Sequence, residues 1–170
     1  MAAKDLADEL IVLSPLGPGD ADAWLAGQDE EQIRWFEFPR YAEMEDVQRF
    51  ISETRESWRN SSGHWYWGIR AMSDGSLLGG VDLRDLGNSE VNVSYVIFPN
   101  YRNQGYAKRA SILALGYARD TLGAKTAVMK MLPGNRFSMK LARSLGGNYV
   151  GNEPSDAGSE FMIFKLDLAS

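Results

Sequence analysis

From Tyr95 to Arg109 the chain runs YVIFPNYRNQGYAKR. An apolar, strand-like run stops at Pro99, a short polar loop follows, and a helix opens near Gly105. The first N–H groups of such a helix have no intrahelical acceptor and the helix dipole adds a positive field, so this end can hold an anion. Gly105 lets backbone approach a ligand with no side chain between them, and Ala107 is small enough to do the same. Lys108 and Arg109 fall in the first turn, where the dipole disfavours cations unless an anion such as a pyrophosphate reverses the sign. The same residues also fit a plain loop leading into a packed helix with two surface cations. The segment is not a P-loop, because the Gly-Lys-Ser/Thr ending is missing, and no βαβ unit opens the chain as a dinucleotide fingerprint would require.

The remaining chemistry is bounded by what is missing. Cysteine is absent and histidine occurs once, at His64. That removes disulfides, thiolate metal sites, a cysteine nucleophile and any His-rich metal site, and it leaves a Ser-His-Asp triad only through His64. Carboxylates, hydroxyls, backbone amides and a borrowed cofactor remain, with no metal expected. The formal charge of −5 argues against nucleic acid as a partner and fits a cationic small partner better than an anionic one.

Arg102, Gly105 and Ala107, spaced Arg-x-x-Gly-x-Ala, resemble the Arg/Gln-x-x-Gly-x-Gly/Ala motif of the GCN5-related N-acetyltransferase (GNAT) family. The context is similar too: a strand, a proline, then the motif opening a long helix. Asn135-x-x-Ser138, followed by Leu141, Leu145 and Gly146, resembles the Asn-x-x-Ser helix of the branch that acetylates ribosomal-protein N-termini and small amines, and the opening at residues 10–22 is similar to that branch as well. The resemblance covers essentially the whole chain. It implies acetyl transfer from acetyl-CoA to a primary amine by direct attack on the thioester, with a non-catalytic acyl-CoA sensor of the same fold as the alternative. It also implies site roles. The backbone of Asn103, Gln104, Gly105, Tyr106, Ala107 and Lys108 cradles the pyrophosphate, and Arg102 flanks it. The strand around Ile97 and Phe98 holds the pantetheine arm, Asn135 contacts that arm, and Ser138 sits near the sulfur. Many family members carry on this helix a Tyr that protonates the departing thiolate; Ala142 stands in its place here, which leaves Ser138 as the substitute.

Amide formation from a thioester needs a neutral amine, a polarised carbonyl and a stabilised leaving thiol, brought together by binding. The base candidates are Glu37, Asp82, Glu90 and His64, with Glu90 and Asp82 favoured by their strands; Asn92, which cannot act as a base, stands where relatives often carry a carboxylate. The aromatic, acidic stretch containing Trp35 and Glu37 is the expected acceptor site, supported by Asp29, Glu30 and Glu31, with Trp35 offering a cation–π face to an ammonium; the same aromatics also fit core packing, and the base candidates also fit solvated edge charges.

The elements that must position these residues follow from pattern. Residues 10–16 read as a strand, Asp20 as the cap of a helix to about Gly27, residues 33–41 as irregular around Pro39, and residues 44–58 as an amphipathic helix. Residues 65–71, 77–85 and 91–98 read as a three-strand meander with turns at 73–76 and at Gly87-Asn88, and Trp65 and Trp67 should share a face. A buried helix over 105–121 ends at Gly123, a strand covers 125–132, Asn135 caps a helix to Leu145, and residues 161–168 close the chain as a strand. With the resemblance, this gives an α/β (α+β) GNAT-like single domain over residues 1–170: a mixed, mostly antiparallel central sheet of about 6–7 strands covered by about 4 helices. No apolar run is long enough to span a membrane, and residues 1–8 lack an apolar signal core, which predicts a cytoplasmic chain with no membrane partner. The expected partner is the amine acceptor, a small molecule or a peptide N-terminus; a homodimer is compatible with this reading.

Overall fold

In the computed structural model, which describes residues 4–169, the chain runs through β1 (Leu6–Ala7), β2 (Ile11–Ser14), α1 (Ala21–Ala26), α2 (Glu30–Trp35), α3 (Met44–Asn60), β3 (His64–Ala71), β4 (Leu77–Gly87), β5 (Glu90–Ile97), α4 (Tyr106–Asp120), β6 (Thr126–Met131), α5 (Arg136–Ser144), β7 (Asn148–Pro154) and β8 (Glu160–Asp167). Short 3-10 turns at Pro18–Asp20 and Pro99–Tyr101 precede α1 and follow β5. The strands form one eight-stranded sheet in the order β1-β2-β3-β4-β5-β6-β8-β7. Every neighbouring pair is antiparallel except β5 and β6. That pair is joined by α4, because parallel neighbours need a crossover connection that a hairpin cannot supply. The hairpin between β4 and β5 turns at Asn88 and Ser89, both left-handed with φ of 52° and 62°, as a tight two-residue turn requires.

Strand alternation gives each face of the sheet its own core. On one face Trp67, Ile69, Val81, Leu83, Val91 and Val93 meet α4, whose Ala107, Ala110, Ala114 and Ala118 are all buried. Those small side chains let the helix axis lie close to the sheet. Trp58 and Trp67 stack edge to face at 5.1 Å, with Tyr117 of α4 closing the group, and Trp65 packs on the same cluster as Trp67, so the two share a face. On the other face Leu16, Val47, Ile51, Leu77 and Phe98 pack with Trp24, Phe50 and Tyr66 under α1 and α3. Phe98 fits there because residue 27 is glycine: a Cβ at Gly27 would stand 2.5 Å from its ring.

Two strands and a helix go beyond the sequence reading. β1 lies in the stretch read only as lacking an apolar signal core, and β7 completes the sheet at its far edge. α2 occupies part of the segment read as irregular. It forms because Asp29 caps it, accepting the Gln32 amide at 3.1 Å, and because Glu30 and Glu31 sit in its first turn where the dipole favours acid. The acidic run read as an attractor for ammonium is also a helix start. Asp20 does not cap α1 with its side chain. Its carboxylate instead accepts the Gly17 amide at 2.7 Å and holds Arg70 through two bonds of 2.7 and 2.8 Å.

Candidate functional site

β5 and β6 pair only through Glu90–Thr126, Val91–Ala127 and Asn92–Val128. Beyond these, β5 continues paired to β4 alone and β6 to β8 alone, so the two strands diverge and leave a wedge between them. The wedge widens into a cleft of about 510 Å³. Its walls are β5 from Asn92 to Ile97 and β6 from Met129 to Met131, with the loop and first turn of α4 at one end, α5 on one flank and α2 on another.

At the loop end, Asn103 and Gly105 are left-handed, with φ of 61° and 83°, a backbone that turns successive N–H groups toward a common side. Gly105 is the residue before α4, and nothing lies within 4 Å of where its Cβ would stand. The amides of Tyr106, Ala107 and Lys108 fall in the first turn, where a helix offers no internal acceptor. Asn103, Gly105, Tyr106 and Ala107 line the cleft; Gln104 and Lys108 are exposed beside it. Arg109, the other first-turn cation, is held by Asp8 and Glu9 at 2.8 Å each.

Arg102 borders the cleft, but its charge is spent on protein. It bonds Asp29 at 2.6 and 2.9 Å and reaches Glu31 at 3.1 Å, while its Nε donates to the Ile97 carbonyl at 3.0 Å. Hydrogen bonding from Arg102 holds the Asp29 carboxyl below its ordinary value, with the Gln32 amide helping against a desolvation cost. Arg102 is therefore a brace between β5, the loop and α2, and a role flanking phosphate is not open to its guanidinium without breaking that brace. Phe98 also differs from expectation. Its amide donates to Leu78, its carbonyl accepts from Tyr101, and its ring is in the core, away from the cleft. The stretch of β5 that lacks a β6 partner runs from Val93 to Ile97, just before Phe98.

α5 brings Asn135 and Ser138 to the cleft wall. Asn135 caps the helix, its Oδ1 accepting the Ser138 amide at 3.2 Å. The Ser138 hydroxyl lies 2.7 Å from the Tyr95 hydroxyl. Tyr95 points from β5 toward the α4 face with Val93 and Ile97, and burial pushes its phenol up to about 12 despite the bond to Ser138. Tyr95 is the residue the sequence reading passed over. The signal was available: on the face Val91, Val93, Tyr95, Ile97, a single hydroxyl interrupts an apolar register and needs a partner.

The opposite face of the same strands carries a polar stripe. Asp82 of β4 is the cross-strand neighbour of Ser94, and Arg84 of Asn92. Asp82 accepts or shares a proton with His64 Nε2 at 2.7 Å. Asn92 donates to Ser94 at 2.9 Å, and its buried Oδ1 has no hydrogen-bond partner. Ser94 and Asn92 line the cleft, while Asp82 and His64 stand one and two strands behind it. Glu90 is elsewhere: it sits at the closed end of β5, bonded to Lys165 at 2.7 Å, so it is separated from the open wedge and its charge is neutralised.

Trp35 lines the cleft from α2, with Phe36, Phe137 and Phe161. The Arg34 guanidinium lies 4.4 Å from the Trp35 ring centroid and occupies one of its faces. Glu37 lies just past α2 in a left-handed turn with φ of 55° and does not reach the cleft wall.

The profile of the acetyltransferase (GNAT) domain matches residues 11–148. Comparison with curated proteins finds no match. Among solved structures, a Vibrio cholerae protein assigned as a ribosomal-protein-serine acetyltransferase superposes with a TM-score of 0.83 at 19% identity, over 98% of this chain and 99% of that one. An acetyltransferase of the GNAT family from Bacillus anthracis gives 0.84 at 14% identity, over 98% and 100%. RimJ from Mycobacterium smegmatis, in complex with CoA-disulfide, gives 0.79 at 15% identity, over 97% and 86%. At these identities the structural likeness is one of fold.

Proposed function

The chain belongs to the GNAT acetyltransferase family, and from that premise we propose that it moves an acetyl group from acetyl-CoA to a primary amine, on a small molecule or at a peptide N-terminus, by direct attack of the amine on the thioester. The observation that carries the reading is the wedge between β5 and β6 opening beside the uncapped start of α4. A diphosphate ester with an extended amide-bearing arm matches both parts: anion-binding amides at one end and unpaired strand backbone along the other.

In this reading the amides from Asn103 to Lys108 hold the pyrophosphate over the open space at Gly105, and the Gln104 and Lys108 side chains are near enough to the rim to assist. Backbone at residues 93–96 and the Asn135 side chain align the arm. Ile97 forms floor, and Phe98 supports the following turn from the core side. Ser138 faces the sulfur from the positive end of α5. The His64–Asp82 pair serves as base, reaching the amine through water along Ser94 and Asn92; Glu90 has no part. Trp35 contributes an apolar acceptor wall, and Glu31 and Glu37 at the rim attract an ammonium by charge.

The test is a thiol-release assay with acetyl-CoA over a panel of amines and N-terminal peptides. Acceptor-dependent release with a matching mass gain is expected. Tight CoA binding with no release for any acceptor would identify a sensor rather than an enzyme, and absence of CoA binding would remove the site assignment altogether.

A further inference from the structure

Among the described residues, the Tyr95–Ser138 hydroxyl pair is the only side-chain hydrogen bond that spans the wedge from β5 to α5. Both residues line the cleft. The pair joins elements separated by 43 positions in sequence, and it stands where the strands have already parted. An apolar contact would close this seam at lower desolvation cost, so the presence of two hydroxyls calls for a chemical reason.

The relative acidities of the two hydroxyls give their protons a preferred order. Burial pushes the Tyr95 phenol up to about 12, so it is protonated at neutral pH. A phenol is a better donor and a poorer acceptor than an aliphatic hydroxyl, so Tyr95 donates and Ser138 accepts. Ser138 then retains its own O–H with Tyr95 occupying one lone pair. Its amide is tied to Asn135, which fixes the first turn of α5 and so the position of Oγ. The remaining freedom is rotation of one O–H bond toward the cleft, at a helix start whose field favours developing negative charge.

We infer that Tyr95 is a positioning residue that orients the Ser138 hydroxyl as the hydrogen-bond donor to the departing sulfur. This rests on the acetyl-transfer reading above. As the amine nitrogen bonds to the carbonyl carbon, the C–S bond breaks and its electron pair stays on sulfur as a thiolate. Ser138 O–H donates to that thiolate; the proton shed by the amine goes to the base on the other face, and the thiolate takes a proton from solvent after release. Tyr95 gives up no proton: an alkyl thiol ionises near about 8.5, far below a buried phenol, so proton transfer from Tyr95 to sulfur would run uphill. The role left vacant by Ala142 is thus shared between a strand and a helix, with Tyr95 supplying orientation and Ser138 the contact.

The experiment is a double-mutant cycle with Tyr95→Phe and Ser138→Ala, read as kcat and KM for acetyl-CoA, with thermal melts and CoA calorimetry on every variant. Ser138→Ala should lower kcat by about 100-fold and Tyr95→Phe by about tenfold, each with little change in KM or CoA affinity. The double variant should be no slower than Ser138→Ala alone, and Ser138→Thr should recover most of the rate. The alkaline side of the pH–rate profile should be unmoved in Tyr95→Phe, because no phenol ionises in the cycle. Full kcat in Tyr95→Phe, losses that multiply in the double variant, or a loss confined to KM would each overturn the assignment. Failure of the unmodified protein to transfer acetyl to any amine would overturn the underlying reading instead, and is told apart because it precedes any substitution. Should Tyr95→Phe melt early, Ser138→Thr and Ser138→Ala still decide the matter: equal kcat in those two would refute a donor at this position.

Discussion

Arg102 grips both carboxylate oxygens of Asp29, with bonds of 2.6 and 2.9 Å, while its Nε reaches the Ile97 carbonyl at 3.0 Å. One side chain therefore ties the end of β5, the loop before α4 and the cap of α2. Asp29 also accepts the Gln32 amide, so the two residues set both the start of a helix on the proposed acceptor side and the loop proposed to bind phosphate. Asp29→Ala removes the cap and leaves Arg102 without its main partner. It should cost about 2 kcal/mol in chemical denaturation and raise the KM for acetyl-CoA, whereas Asp29→Asn, which keeps the cap, should cost less in stability.

Acid should undo the same contacts. Asp29 is held below its ordinary 3.8 chiefly by Arg102. For Asp20, burial works in the opposite direction, but Arg70 and the Gly17 amide outweigh it and the carboxyl is again lowered from 3.8. A depressed folded-state pKa binds fewer protons folded than unfolded, so the stability it lends is present above about pH 4 and lost as pH falls through the lower folded-state value. Melting temperatures measured from pH 5 to pH 2 should fall, and Asp29→Asn or Asp20→Asn should flatten that fall while lowering the plateau. A steep decline left intact in both variants would place the acid sensitivity in other carboxylates.

At Gly105 the constraint is backbone alone. With φ of 83° and no atom within 4 Å of a notional Cβ, Gly105→Ala should cost about 1–2 kcal/mol of conformational strain and no clash. Gly105→Val should cost more and project a branched side chain toward the proposed phosphates. Calorimetry should show weakened CoA binding for both variants, strongly so for Val, with circular dichroism near that of the parent. In the parent, CoA at a hundredfold excess over its Kd should add about 2.7 kcal/mol of stability; unchanged affinity in Gly105→Val would move the phosphate site elsewhere.

The His64–Asp82 pair makes a kinetic prediction. Asp82→Asn and His64→Gln should each lower kcat/KM at neutral pH by about 100-fold. The variants should regain rate as pH rises toward the pKa of the acceptor amine, because the free amine then needs no base. Glu90→Gln should leave the rate close to that of the parent, since Glu90 is bonded to Lys165 at the closed end of β5. Equal losses in Glu90→Gln and Asp82→Asn would reverse the choice of base.

What the sequence made legible was local. Pro99 and Gly105 bracketed the loop, Asn135 declared its cap through a spacing of three to Ser138, and the meander showed in its alternation. What it hid was pairwise and distant. Nothing in residues 95–109 says that Arg102 will be claimed by Asp29, 73 positions away, because either a carboxylate or a phosphate satisfies a guanidinium. The acidic run at 29–31 signals a helix start and a cation lure equally well, and only its neighbours decide. Phe98 looked like part of the arm-binding strand; its fate depended on Gly27 leaving room for a ring. The two hydroxyls of Tyr95 and Ser138 were both visible, but their meeting required knowing that β5 and β6 separate after Asn92.

The brevity of that β5–β6 seam has a mechanical side. Strands β1 to β5 form one blade and β6, β8 and β7 another, joined by three rungs, by α4, by the Glu90–Lys165 ion pair and by a core cluster common to both. From Asn92 to Ile97 the free arm of the wedge is roughly 16 Å long at the usual strand rise. At that length, a rotation of about 5° at the rungs corresponds to about 1.4 Å at the far end, the size of a helix shift. In lever terms the closed end of the sheet is the fulcrum of the wedge, and the Tyr95–Ser138 bond crosses it partway along the arm.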